Sequence, residues 1–520
     1  MVVVGPYPDV DLPETPLTAY VLERASEFGD KPALIDGPTG RTINYSELVG
    51  QVQALAAGLT ARGFGKGECF AIYMPNLPEY AVAFHGIVSI GGIVTTVNPL
   101  YTPDELAFQL NDSKARFLLT IPQFLENAIE AADKTGVEEV FVLGDAEGAT
   151  SVMELFSPAT DVPAVDIDVH NDLAVLPYSS GTTGFPKGVM LTHYNLVSNI
   201  SQFHGAQPVD SSDSFIGLLP FFHIYGMTVL MNGGLRKGAT IVTIPRFDLE
   251  GFLELSQKYG TTRAYLVPPV ILGLAKHPVV DNYDLSSLKI IMSGAAPLSG
   301  DLATAAADRL GCNVMQGYGL TETSPVTHCV PEDPSQNKPG SIGPPIPNTE
   351  CVVADPITGE EVATDELGEV WIRGPQVMKG YLNNDEATSI TIDSDGWLHS
   401  GDIGRADSDG YFFLVDRLKE LIKYKGMQVA PAELEALLLS HPQISDAAVI
   451  GVADEEAGEV PKAFVVLAEE LSEDDIMAYV AQRVAPHKRI RFVEVVEAIP
   501  KSASGKILRR VLKDKEVSAR

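Results

Sequence analysis

From Asn44 onward, amphipathic helical stripes alternate with short apolar runs, and this alternation constrains the fold more than any other feature of the chain. Leu48, Val52, Leu55 and Leu59 fall at steps of four, three and four, which places them on one face of a helix. Asn44 followed by Glu47 predicts a capping box at its start, and Gly63 a left-handed close at its end. The run Phe70 to Met74 then reads as a buried strand. Thr102, Pro103 and Glu105 repeat the helix-start device before "ARFLLT", the next strand. Such alternation predicts an α/β layered architecture with largely parallel sheets, continuing to about residue 410 and broken by Gly- and Pro-rich loops near Pro331 to Pro347.

The scale changes after "DRLKELIKYKG". A helix begun by Pro431, strands in "AAVIGV" and "KAFVVLA", a helix capped by Ser472 and a strand in "IRFVEVV" fit a small α+β domain of about 100 residues. The predicted division is a large N-terminal α/β body of several subdomains over 1–417 and a small C-terminal domain over 418–520. A length of 520 residues agrees with two to four domains or subdomains.

Composition narrows the class. With 45% hydrophobic and 20% charged residues the chain reads as globular, and its formal charge of −32 repels nucleic acid and anionic membrane at long range. An anionic ligand must therefore be captured locally. The segment Pro500 to Arg520 reverses the trend, with seven Lys or Arg against two acidic residues. Cys69, Cys312, Cys329 and Cys351 are scattered without a C-x-x-C pair, which predicts no zinc site, no disulfide scaffold and a reducing compartment. The opening "MVVVGPYPDVDLPETP" lacks a basic n-region, and no apolar run reaches the roughly 20 residues of a membrane helix. The expectation is a cytoplasmic protein with no integral membrane segment.

The stretch "YSSGTTGFPKGVMLTH", Tyr178 to His193, sets glycines, hydroxyls and one lysine between apolar runs. Small residues let backbone N–H groups approach an anion and hydroxyls add donors, so the loop suits polyphosphate. It is not the P-loop pattern, because Gly188 stands where a magnesium-binding hydroxyl belongs and both flanks read as strands. A plain Ser/Thr/Gly hairpin turn remains the other reading of these residues taken alone.

"SSGTTGFPKG" is followed in order by "GAAPL" (Gly294 to Leu298), "GYGLTETSP" (Gly317 to Pro325), "WLHSGDIG" (Trp397 to Gly404), "DRLKELIKYKGMQVAPAELE" and "PKSASGKILRR". Over nearly its whole length the chain resembles the acyl-adenylate-forming superfamily, most of all 4-coumarate CoA ligases and their acyl-CoA synthetase and luciferase relatives. The resemblance implies activation of a small carboxylic acid by ATP with Mg²⁺, then transfer to coenzyme A.

It also implies site roles. Ser179, Ser180, Gly181, Thr182, Thr183, Gly184 and Lys187 would form the phosphate loop, with Thr321 at the α-phosphate and Glu322 on magnesium. Tyr318, with Gln316, Gly317, Gly319 and the Gly294–Ala295–Ala296 backbone, would hold adenine, while Asp402 would grip the ribose and Arg417 would support the ribose or phosphate. Lys506 would serve adenylation. Lys423, Lys425, Gly426 and Gln428 would serve the thioester step after the small domain, a mobile lid, rotates about Lys419. His223, Tyr225, Gly226, Gly294, Gly319, Pro325 and Val326 would shape the acid pocket, with His223 toward the CoA tunnel. Met292 departs from the lysine that plant coumarate ligases usually carry there, so discrimination for a para-hydroxyl is expected to be weak.

Other outcomes within the resemblance are a medium- or long-chain fatty acyl-CoA synthetase, a luciferase-like enzyme or an acyl-AMP ligase. The final "VSAR" carries no Ser-Lys-Leu address. An inactive acyl or nucleotide sensor is the alternative of a different class, against which stands the full set Lys187, Glu322, Asp402, Arg417, Lys423 and Lys506. The chain is expected to be a monomer or homodimer.

Overall fold

The computed structural model describes residues 2–157, 164–179, 186–425, 427–454, 456–502 and 505–519, the side chains of 517–519 excepted. Among these residues, two eight-stranded sheets carry the α/β alternation. At the centre of one, Ile93–Thr96, Cys69–Tyr73, Ala115–Thr120 and Glu139–Val142 run parallel. At the centre of the other, Ser214–Gly217, Arg263–Leu266, Ile290–Ser293 and Asn313–Gly319 do the same. Their side chains explain why. Every residue of Cys69–Tyr73 is buried, as a strand covered by helices on both faces requires.

The helix starts read from sequence are present. Asn44 and Glu47 form a capping box on Tyr45–Ala61, whose Leu48, Val52, Leu55 and Leu59 are buried. Gly63 follows at φ +73°. Thr102 and Glu105 cap Pro103–Ser113 in the same way.

The α/β rhythm does not continue to residue 410 as expected. Glu350–Ala354, Gly368–Arg373, Leu398–Ala406 and Phe412–Arg417 form an antiparallel sheet that the N-terminal strand Val3–Val4 extends. Antiparallel neighbours can follow one another through short turns without a crossover helix, and the five residues between Ala406 and Phe412 leave no room for one.

Beyond Ile422 the chain builds a last sheet from Ile422–Tyr424, Met427–Val429, Ile444–Asp454, Gly458–Leu467 and Phe492–Val495. It has its own core, with Val429, Leu434, Val449, Val465 and Ile476 all buried. Ser472 caps the helix Glu473–Ala481. A small apolar contact of Ile403, Leu421 and Ala430 joins this unit to the antiparallel sheet. No helix among the described residues is long and apolar enough to cross a membrane.

Candidate active site

Both parallel sheets run their strand ends toward one cavity of about 1410 Å³. Thr96, Ser179 and Gly319 each end a strand and line it, the location where ligands collect in open α/β sheets.

At one end the phosphate-loop flanks meet. Ser179 and Lys187 are paired across antiparallel strands, and both line the cavity. Ser180, Gly181, Thr182, Thr183 and Gly184 lie outside the described residues. The Ser179 hydroxyl donates to Glu322 Oε1 at 2.9 Å, and the Tyr381 hydroxyl donates to the same oxygen at 2.8 Å. Lys187 Nζ stands 4.7 Å from the centre of the Tyr381 ring. Tyr381 was not a sequence candidate, because "KGYLNN" falls outside the motifs; only its place opposite Lys187 reveals it. Thr321 lines the cavity beside Glu322 on the short turn Thr321–Thr323.

Glu322 fits a magnesium ion carried by nucleotide phosphates. Among the described residues both hydrogen bonds to its side chain fall on Oε1, which leaves Oε2 for a cation, and no group of three or more acidic, His or Cys ligands forms a cage. One carboxylate plus phosphate oxygens is a normal environment for that ion.

Tyr318, Asp402 and Arg417 form the next wall. The Tyr318 hydroxyl donates to Asp402 Oδ2 at 2.5 Å, and Arg417 Nε lies 3.2 Å from Asp402 Oδ1. Burial pushes the Asp402 carboxyl up from its ordinary range against the pull of Arg417. The turn before Asp402 is held from behind: Glu369 Oε1 accepts Gly401 N–H at 2.8 Å while Glu369 Oε2 accepts the Trp371 indole N–H at 2.9 Å. Sequence reading missed Glu369 because its partner lies 32 residues away. Gly294, Ala295 and Gly317 also line this region, Ala295 at φ +68°, whereas Ala296 lies just off the lining.

Gln316 requires a correction. It is buried, lies off the cavity lining, and its Oε1 accepts Leu298 N–H at 3.1 Å. Through that oxygen it braces the Gly294–Leu298 loop from below.

The deep end is apolar. His223, Tyr225, Met292, Pro325 and Val326 line it, and the Tyr225 hydroxyl donates to the Met292 carbonyl at 3.2 Å. A Cβ on Gly294 would stand 2.6 Å from the Tyr225 ring, and one on Gly319 would stand 2.0 Å from the Pro325 carbonyl oxygen, so neither position admits a side chain. Gly226, expected in the wall, instead lies behind it against the Leu219 and Pro220 carbonyls. His223 accepts Tyr225 N–H on Nδ1 at 3.3 Å; burial and the nearby Lys506 ammonium push it down to about 4, which keeps the imidazole neutral.

From the last sheet's side, Lys506 enters the cavity with Lys419 and Glu420. Burial, reinforced by the Arg417 charge, lowers Lys506 to about 8. Lys423, Lys425 and Gln428 are exposed and away from the cavity, so the structure does not bring them together with the other candidates. Gly426 lies outside the described residues.

Comparison with known proteins agrees with this geometry. Residues 21–382 match the family described as AMP-binding enzyme, and residues 433–506 match its C-terminal domain.

The chain belongs to the AMP-binding enzyme family.

This AMP-binding enzyme is 44% identical over 529 aligned residues to a 4-coumarate–CoA ligase of Pinus taeda, covering 98% of this chain and 96% of the relative. Its fold matches the anthranilate CoA ligase AuaEII in complex with anthranoyl-AMP at a TM-score of 0.91 and 27% identity, over 98% of this chain and 99% of that one. ATP-bound MatB from Rhodopseudomonas palustris matches at 0.86 and 29%, over 96% and 98%.

Proposed function

We propose that this AMP-binding enzyme is an ATP-dependent acid:CoA ligase of the 4-coumarate type, acting in two half-reactions on one cavity. In the first, a carboxylate oxygen of the acid attacks the α-phosphorus of ATP, the bond to the bridging oxygen breaks, and pyrophosphate leaves. In the second, the CoA thiolate attacks the acyl carbon and AMP leaves. Both steps move negative charge onto phosphate oxygens, so cations and N–H donors fixed in advance are the main catalytic resource.

The observation that carries this reading is the meeting of Lys506, Arg417 and Asp402 with Ser179, Lys187 and Glu322 around one apolar-ended cavity. Lys187 and its loop hold the β- and γ-phosphates, Thr321 the α-phosphate, Tyr318 the adenine and Asp402 the ribose. Glu322 would hold magnesium, which supplies charge neutralisation to the phosphates. Lys506 bridges carboxylate and α-phosphate, and neutral His223 stands at the passage to the thiol. The body is 1–417 and the lid 418–520, with the turn at Lys419; Lys423, Lys425, Gly426 and Gln428 arrive for the second step.

The acid is aryl or fatty. Met292 and its apolar neighbours offer no charged partner to a para-hydroxyl, so cinnamate-like and medium-chain acids are accepted beside coumarate. A panel of such acids with magnesium and ATP, read by pyrophosphate release and by mass spectrometry of the thioester, tests the proposal. Release without any thioester would reassign the enzyme as an acyl-AMP ligase, and no release with any acid would end the ligase reading.

A further inference from the structure

The helix Pro431–Leu439 buries Leu434 and Leu438 in the lid core, yet its N-cap residue is Ala430, and no side chain of its own caps it. The N–H groups of a first turn have no partner inside the helix and need acceptors. The body supplies one. Asp416 lies on the strand Phe412–Arg417, in register with Ile403 of the body's antiparallel sheet, and its Oδ2 accepts Ala432 N–H at 2.8 Å. Its Oδ1 accepts Arg417 N–H at 2.7 Å, and the residue is 8% exposed. A buried carboxylate at a helix start also meets the positive end of the helix dipole.

Three residues beyond Lys506, Arg509 ties the same corner together. It pairs with Glu420, and its Nη2 lies 2.6 Å from Glu435 Oε2, while its charge draws on Asp416. Glu420, Glu435 and Arg509 all follow Lys419 in sequence and would travel together if the lid turned there. Asp416 precedes it. The Asp416 to Ala432 bond is thus a polar contact that such a turn must break.

We propose that Asp416 is a positioning residue: by capping the lid helix across the joint, it holds Lys506 in the cavity and favours the first half-reaction over the second. The inference rests on the ligase reading. Two variants remove the bond from opposite ends, Asp416→Ala and Ala432→Pro. The second keeps the buried carboxylate and its bond to Arg417. A second proline at this helix start is compatible with the chain's own habits, since Pro268–Lys276 opens with Pro268 and Pro269.

Each variant is compared with wild type by acid-dependent pyrophosphate exchange, by thioester formation from preformed acyl-AMP, and by amide hydrogen exchange over residues 399–403, where Ile403 packs against Leu421 and Ala430 of the lid. The expected result is about a fivefold fall in pyrophosphate exchange, the size of one lost cap, with the thioester rate kept or raised and faster hydrogen exchange in 399–403. A ratio of the two rates within twofold of wild type, or unchanged hydrogen exchange, would overturn the proposal. Wild-type pyrophosphate exchange reports on the ligase reading alone, and hydrogen exchange reads the cap without any turnover.

Discussion

Lys506 and Lys423 belong to the same small C-terminal unit, the first just before the helix Arg509–Ala519 and the second on the strand Ile422–Tyr424, yet their surroundings are opposite. Lys506 is half-buried in the cavity near Arg417 and Asp402 and has its ammonium lowered to about 8. Lys423 is exposed, with its backbone N–H bound to Glu459 at 2.8 Å. A rigid lobe cannot present two faces to one cavity at once. On the roles proposed above, this arrangement would serve adenylation, and the second chemistry would need a different seating of the lid.

The largest test removes the buried ammonium. Lys506→Ala should lower acid-dependent pyrophosphate exchange by about 10²–10³-fold, as loss of one preorganised stabilising group does. It should leave thioester formation from preformed acyl-AMP near wild type. Equal damage to both half-reactions would erase the contrast between the two lysines.

Lys423→Ala should show the reverse pattern, with thioester formation down by some tens of fold and pyrophosphate exchange unchanged. Single-turnover measurements on each half-reaction separate the two.

A smaller effect comes from pH. A lysine lowered to about 8 keeps its proton below that value and loses it as pH rises through it, well before an ordinary lysine does. Adenylation by the free enzyme should therefore decline above about pH 8, by roughly tenfold per unit at the limit. Lys506→Arg, whose charge persists, should remove this limb of the profile.

The smallest change should leave the lid untouched. Met292→Lys alters only the acid end, and is expected to raise the preference for coumarate over cinnamate about fivefold without changing the ratio of the half-reactions. A shift in that ratio would mean that pocket and lid are coupled.

Much of the fold was legible because local rules and tertiary packing agree. The Asn44–Glu47 and Thr102–Glu105 boxes are three-residue devices, and the run Cys69–Tyr73 advertises burial by having no polar face. The sheet from Glu350 to Arg417 was misread because short apolar runs do not state which way a neighbour runs. Among site residues, Lys187, Tyr318, Glu322, Asp402 and Arg417 stand in motifs and do converge on the cavity or its wall. Tyr381, Glu369 and Asp416 act through partners far away in sequence, so no spacing pattern announces them.

The sequence by itself determined the helix starts, the buried strands, the family and the chemical inventory of the site, since each depends on neighbours a few residues apart or on linear motifs. Only the tertiary structure decided that Lys506 rather than Lys423 faces the cavity, that Gln316 braces a loop and that Gly226 lies behind the wall. Those outcomes depend on which surfaces meet when sheets and lid pack, and burial then sets the protonation of whatever lies between them.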